Sequence, residues 1–85
     1  MKIVWTKHAE NRQKECEKYL EITRQEVENM IRKPEQIVPG DQSTLVAQSR
    51  RGDGLLRVAF ENIGGDRKIL TLYWTSKVQK YWKEL

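Results

Sequence analysis

The spacing of apolar residues changes once along this chain, and Pro34 marks the change. Before Pro34, apolar residues recur every three or four positions, which is the period of one helix face. After it they alternate with polar residues, which is the period of a half-buried strand. A chain of 85 residues has room for one core. The sequence therefore predicts a single α+β domain over residues 1–85.

Two helices are predicted before Pro34. Thr6 can cap a first helix over residues 7–20, because its hydroxyl can accept a free N–H of the first turn. Residues 23–26 read Thr-Arg-Gln-Glu, a capping-box pattern, and begin a second helix that Pro34 ends. The linker is short, so the helices should form an antiparallel hairpin. Their apolar stripes are Ala9, Cys16 and Leu20, and Val27, Met30 and Ile31.

The predicted strands are Lys2 to Trp5, Leu45 to Arg50, Leu55 to Glu61 and Ile69 to Trp74, with a shorter candidate at Gln36 to Val38. Turns are predicted at residues 51–54 and 64–66, and Thr75 or Ser76 can cap a short helix through Trp82. The expected fold is β-α-α-β-β-β: a small antiparallel sheet with a two-helix hairpin on one face and a short C-terminal helix. The faces expected to meet the hairpin are Leu56, Val58 and Phe60, and Leu70, Leu72 and Trp74.

Several classes of protein are disfavoured by composition. With one histidine and one cysteine, His8 and Cys16, the chain has no zinc-ligand spacing, and Gly64-Gly65 reads as a hairpin turn and not as a phosphate cradle. We therefore predict no metal and no cofactor. No apolar run approaches the roughly 18 residues that a bilayer requires. The first residues reach charged positions at once, unlike a signal peptide. A soluble, cytoplasmic protein without a membrane partner is expected.

The net charge of +4 is unevenly distributed. Residues 1–42 carry 8 basic and 8 acidic side chains, whereas residues 43–85 carry 8 basic and 4 acidic ones. A one-sided excess of positive charge attracts polyanions such as RNA, DNA or an acidic protein. Ordinary solubility charge explains the same excess equally well.

His8 and Arg12 are neighbours on the first helix, since they are four residues apart. One interpretation is an acid–base histidine beside a phosphate-binding arginine. The other, which spacing alone favours, is a histidine at a helix start and an arginine that lies over the core edge and bonds the sheet.

A second set of candidates lies on the strands and the C-terminal segment. Alternation turns Arg57, Thr71 and Tyr73 away from the helices, onto a sheet face expected to be partly open. Basic side chains beside an aromatic platform suit RNA binding, although a solvated sheet face fits as well. The other RNA-binding candidates are Arg50, Arg51, Lys77 and Lys80. Helical spacing predicts that Val78, Tyr81 and Trp82 dock the C-terminal helix.

Several segments together resemble a domain family of unknown function related to the RelE/ParE toxins. Residues 6–12 contain its His-Ala-x-x-Arg opening. Residues 22–27 and 29–35 resemble its second helix and its proline-containing ending, and residues 70–77, with Tyr81 beyond, are similar to its last strand and tail. These segments cover more than half of the chain in the family's order.

The resemblance implies a β-α-α-β-β-β fold and a role as the toxin of a toxin–antitoxin pair. Such toxins typically cut mRNA on the ribosome or poison another target, and they are held inactive by a small acidic antitoxin protein. The implied ribonuclease reaction needs no metal, because the ribose 2′-hydroxyl attacks the adjacent phosphate. His8 or Tyr81 would move protons, and Arg12, Arg57 and Arg50 would stabilise the phosphate.

Two other functions remain open at this point. The main alternative is a non-catalytic module with a toxin-like fold that binds an acidic protein or peptide along the sheet. A regulator that reads nucleic acid is weaker, because the sequence has no helix with the dense basic face that groove reading needs.

Overall fold

The helical half of the chain begins at caps that the sequence supplies. In the computed structural model, which describes residues 1–84, the Thr6 hydroxyl accepts a hydrogen bond from the backbone N–H of Ala9 at 3.1 Å. The Thr23 hydroxyl accepts one from the N–H of Glu26, also at 3.1 Å. Both predicted helix starts are confirmed. The helices are α1 (Lys7–Leu20), α2 (Arg24–Arg32) and α3 (Val78–Tyr81).

Five strands form one sheet, in the order β1-β5-β4-β3-β2. They are β1 (Ile3–Trp5), β2 (Gln36–Pro39), β3 (Leu45–Arg51), β4 (Gly54–Ile63) and β5 (Asp66–Thr75). The predicted α+β class is confirmed, but the sheet is mixed and not antiparallel, because β1 runs parallel to β5. The two strands are joined by the whole intervening chain, including both long helices, which is the long crossover that a parallel pair requires.

The segment that the sequence gives only as a short candidate is a full edge strand. Gln36–Pro39 pairs with β3 over all four of its residues. The element order is therefore β-α-α-β-β-β-β-α, one strand longer than the expected order. The C-terminal helix α3 is shorter than predicted, because its cap position is Lys77 and not Thr75 or Ser76, and it ends at Tyr81.

The main core lies between the sheet and the α1–α2 hairpin, with alternate strand residues facing the helices. Its largest fully buried side chains are Phe60, Ile22, Ile31, Leu56, Ile69, Leu72, Val27 and Val58. The expectation that Leu70 lies on this face is wrong. Ile69 pairs with Phe60 and Thr71 with Ala59, so Leu70 is the extra residue of a β-bulge. Ile69 therefore takes the buried place expected for Leu70.

Two glycines set the hairpins that join the last three strands. Gly52 and Gly64 have φ of 64° and 62°, and each is the first of two loop residues. A positive φ at this position is what a type II′ turn requires, and its twist matches that of the flanking strands. In the part of the chain that the structure describes, no helix combines the length and the apolar character needed to cross a membrane.

Candidate functional site

Strand alternation brings polar side chains together on the sheet face that lies away from α1 and α2. The register places Gln48 opposite Arg57, and Arg57 opposite Tyr73. Cross-strand partners share a face, so these three side chains form one row across β3, β4 and β5. We call this side of the sheet the second face. As expected, it carries Arg57, Thr71 and Tyr73.

Arg57 lies at the centre of that row. Its Nε donates to Gln48 Oε1 at 3.0 Å, and its Nη1 donates to the Tyr73 hydroxyl. The guanidinium carbon lies 3.9 Å from the centroid of the Tyr81 ring, a cation–π distance. The two hydrogen bonds use two of the five N–H donors of the guanidinium. Because the three contacting groups carry no formal charge, the positive charge of Arg57 is not neutralised by them.

The second face is less open than expected, because the C-terminal segment lies across part of it. α3 places the Tyr81 ring edge-on to that of Tyr73, with centroids 6.4 Å apart and planes at 75°. The next residue, Trp82, stacks on the Arg50 guanidinium at 4.6 Å. The docking predicted for the C-terminal aromatics therefore occurs on two arginines of the sheet.

Gln48 holds this arrangement together, and the sequence did not indicate its importance. The residue is fully buried, and its Nε2 donates to Gln36 Oε1 at 2.8 Å and to the Tyr81 carbonyl at 3.0 Å. Its Oε1 accepts from Arg57. A single amide therefore joins β2, β4 and the C-terminal segment. The sequence feature that could have indicated this role is a glutamine at the strand position opposite Arg57, and this pairing is recognised only once the register is known.

The two tyrosines beside Arg57 have pKa values shifted in opposite directions. Burial raises the pKa of Tyr73, against the effect of the Arg57 hydrogen bond. The neighbouring polar groups of Tyr73 and Lys80 lower the pKa of Tyr81. One phenol is therefore biased toward keeping its proton and its neighbour toward losing it. Pairs of titratable groups that their surroundings push apart in this way are typical of acid–base sites.

An open groove continues the second face beside Arg57. It encloses about 380 Å³ and runs between Tyr73 and the loop that joins β2 to β3. It is lined by Pro39, Gly40, Asp41, Thr44, Val46, Arg57, Ala59, Thr71 and Tyr73. The groove and the Arg57 row share Arg57 and Tyr73, so a molecule in the groove would contact the row.

Of the two candidates on the first helix, Arg12 lines a cavity with Tyr73 at the edge of β5, whereas His8 does not line it. α1 packs on the opposite face of the sheet, where Arg12 Nε donates to the Leu72 carbonyl at 3.3 Å and Nη1 lies 3.7 Å from Glu15. Arg12 thus bonds the part of the β5 edge that β1 does not cover. This agrees with the interpretation that Arg12 lies over the core edge and bonds the sheet. His8 is exposed in the first turn of α1. The structure does not bring either residue to Tyr81.

The basic candidates divide between the two faces. Neighbouring strand residues point to opposite sides, so Arg50 lies on the second face while Arg51 lies on the helix face. There, Arg51 Nε donates to the Glu26 carboxylate at 3.0 Å. Both lysines are exposed, Lys77 at the cap position of α3 and Lys80 within it, and Lys80 Nζ lies 5.2 Å from the Tyr81 ring centroid. The second face therefore unites Arg50, Arg57 and Tyr73 with Tyr81 and Lys80 of α3, and Lys77 lies at the start of that helix.

Comparison with protein-family models, with curated proteins and with solved structures finds no match for this chain. The chemistry of the site is therefore the guide to its function. A guanidinium between two phenols can bind an anion through its remaining donors, and the phenols can exchange protons with a bound molecule. Exposed lysines next to aromatic rings provide the charge and stacking surface on which a single nucleic-acid strand binds.

Proposed function

We propose that this chain is a RelE/ParE-like toxin-type domain that binds RNA, free or on the ribosome, and cleaves it as an endoribonuclease. The observation that carries the proposal is the contact between Arg57 and Tyr81 beside Tyr73 on the second face. The order of the first six elements, two helices between a first strand and a run of further strands, also supports it.

The opposite pKa shifts assign roles to the two phenols. Tyr81, whose pKa is lowered, acts in its phenolate form and takes the proton of the ribose 2′-hydroxyl as that oxygen attacks the adjacent phosphorus. Tyr73, whose pKa is raised, gives its proton to the 5′-oxygen as the P–O bond breaks. Arg57 lies between them and stabilises the negative charge that develops on the phosphate oxygens. The products are a 2′,3′-cyclic phosphate and a 5′-hydroxyl end.

The direct test is cleavage of short RNAs, free and on ribosomes, by the purified chain. Tyr81→Phe removes only a hydroxyl, and we expect it to lower the cleavage rate by about 10²–10⁴, the usual contribution of a positioned proton-transfer group. Tyr19→Phe removes a hydroxyl from a tyrosine that is 73% exposed on α1 and should leave the rate unchanged. Absence of cleavage by the folded wild-type chain on both substrates would refute the catalytic part of the proposal.

Binding is tested separately from catalysis. Arg57→Gln removes the central positive charge, and we expect it to weaken RNA binding in fluorescence anisotropy, whereas Lys14→Gln on the exposed side of α1 should not. In a bacterial host, induced expression of the wild-type chain should arrest growth and that of Arg57→Gln should not, with folding of both checked by circular dichroism. If both folded chains leave growth untouched, the toxin role fails in that host.

A second candidate is a non-catalytic module that binds an acidic protein. It is favoured by the edge strand β2, where Ile37 is 43% exposed beside a groove of about 440 Å³ that Lys83 also lines. A gene for a small acidic antitoxin immediately beside this one would favour the toxin role, and its absence would favour the second candidate. A chain that binds an acidic protein but no RNA would favour the second candidate.

A further inference from the structure

The groove beside Arg57 has the shape of a small-molecule site. Its floor is a cross-strand row of three short side chains, Val46, Ala59 and Thr71, which the register places side by side. The longer side chains of the next row, Arg57 and Tyr73, rise at one end. The depression therefore results from small residues beside large ones, and its volume of about 380 Å³ falls within the range of ordinary ligand sites.

The other end of the groove is a loop that its own hydrogen bonds hold closed. The Gly40 N–H donates to the Thr44 carbonyl at 3.0 Å. The N–H and the hydroxyl of Thr44 both donate to the Asp41 carbonyl, at 3.0 and 2.6 Å. A Cβ on Gly40 would lie 2.6 Å from Thr44 Oγ1, so the tight approach requires glycine. These bonds fix the backbone of Asp41, which lines the groove beyond the β2–β3 pairing, at the end away from Arg57.

The charges at the two ends select the kind of ligand. A guanidinium at one end favours an anion, and a carboxylate at the other favours a group with hydrogen-bond donors. The ring of Tyr73 gives the wall an aromatic surface on which a planar group can pack. A nucleotide matches all three features of the groove, because one molecule carries a phosphate, a planar base and hydrogen-bond donors on that base.

Among the four RNA bases, only guanine offers a carboxylate two adjacent donors, N1–H and the exocyclic N2–H. On adenine and cytosine the amino group stands next to a ring nitrogen that is itself an acceptor. In uracil the single N–H lies between two carbonyl groups. In each of these three bases an acceptor would face one carboxylate oxygen, whereas guanine satisfies both oxygens at once.

We propose that the groove is a guanine-binding subsite, in which Asp41 accepts from the N1–H and N2–H of the base while the phosphate faces Arg57. This inference rests on the proposed RNA-binding function and names its base specificity. It also makes the loop at residues 40–44, which lies outside every motif recognised in the sequence, the part of the molecule that selects where RNA is bound.

The test is to titrate the isotope-labelled chain with each of the four 5′-mononucleotides and to measure binding through changes in its amide chemical shifts. We expect GMP to bind about tenfold more tightly than AMP, CMP or UMP, the usual order of discrimination for one bidentate contact. Its shifts should cluster at residues 41–46, 57–59 and 71–73. Four equal affinities, or shifts confined to other residues, would overturn the inference.

A substitution of one atom sharpens the test. Asn presents one acceptor and one donor, which conflicts with the two adjacent donors of guanine but matches the N1–H and C2=O of xanthine, so Asp41→Asn should lose the preference for GMP and bind xanthosine monophosphate more tightly than GMP. Asp53→Asn, in the exposed turn between β3 and β4, is the matched control and should keep the preference for GMP. An unchanged preference for GMP in folded Asp41→Asn would refute the role of Asp41.

The outcomes separate this inference from the proposed function. RNA binding and cleavage without preference among the mononucleotides would leave the proposed function standing and refute the guanine subsite. Specific binding of GMP by a chain that does not bind RNA would support the subsite and refute the RNA-binding function. If neither RNA nor GMP binds, both are wrong.

Discussion

Arg57 and Arg51 show how the partner of a charged residue determines what else it can bind. Both lie on β-strands and both donate hydrogen bonds through Nε. Arg51 donates to the Glu26 carboxylate, so its charge is paired. Arg57 donates to the neutral oxygen of Gln48 and lies against the Tyr81 ring, so its charge is held in place without being cancelled. This difference makes Arg57, and not Arg51, the centre of the proposed site.

Gln48 is the residue on which the geometry of Arg57 depends most. Replacing it with leucine removes an acceptor from Arg57 and a donor from Gln36 Oε1 and the Tyr81 carbonyl. We expect Gln48→Leu to lower the free energy of unfolding by about 1–3 kcal/mol, the usual cost of leaving buried polar groups without partners. Urea unfolding measures this change. Gln79→Leu, at an exposed position of α3, should cost much less, and equal losses would contradict the role of Gln48.

Titration of the tyrosines tests the electrostatics of the site without any substrate. Because the pKa of Tyr81 is lowered and that of Tyr73 is raised, phenolate absorbance should show one group ionising below the ordinary pKa of 10.0 and one above it. With rising pH, Tyr81 loses its proton first. Tyr81→Phe should remove the low-pH step, whereas Tyr19→Phe should leave it. A low-pH step that persists in folded Tyr81→Phe would show that Tyr81 is not the base.

At the scale of helices and strands, the sequence predicts those features that depend only on residues close together in the chain. The caps at Thr6 and Thr23 are local, and both were predicted and are confirmed. The direction of β1 and the bulge at Leu70 depend on strands that pair across the sheet, which a local pattern does not contain. The alternation rule placed Arg57 and Tyr73 on one face, but α3 crossing that face was not predicted, because its docking depends on distant residues.

Gly54 tests the packing of β4 against β5. A Cβ there would lie 2.2 Å from the Thr75 carbonyl oxygen and 2.4 Å from the Trp74 ring, so both strands must move to admit it. We expect Gly54→Ala to lower the unfolding free energy by about 1–3 kcal/mol, the typical cost of overpacking. At Gly65 a Cβ meets no atom within 4 Å, so Gly65→Ala is the matched control and should cost little. Thermal unfolding followed by tryptophan fluorescence compares the two variants.

At the scale of the whole molecule, the sheet separates a side of balanced charge, which carries α1 and α2, from a side with an excess of positive charge. Within residues 1–84, every ion pair found uses a carboxylate of α1 or α2. Together α1 and α2 carry six basic and five acidic side chains, so the charge on that side of the sheet is nearly balanced. The excess positive charge of residues 43–85 includes Arg50, Arg57, Lys77 and Lys80, which lie on or beside the second face. This separation gives the molecule one side suited to a polyanion.

Salt dependence of RNA binding tests that separation directly. For a single strand, each neutralised phosphate contributes about 0.7 to the slope of log affinity against log salt concentration. If Lys77 and Lys80 each contact a phosphate, the double variant Lys77→Gln/Lys80→Gln should reduce the slope by about 1.4. Lys14→Gln/Lys18→Gln removes the same charge from exposed positions of α1, on the other side of the sheet. Its slope should equal that of the wild-type chain, because counterions are released only where phosphates are contacted. Equal reductions in the two double variants would mean that RNA responds to net charge alone and has no preferred side.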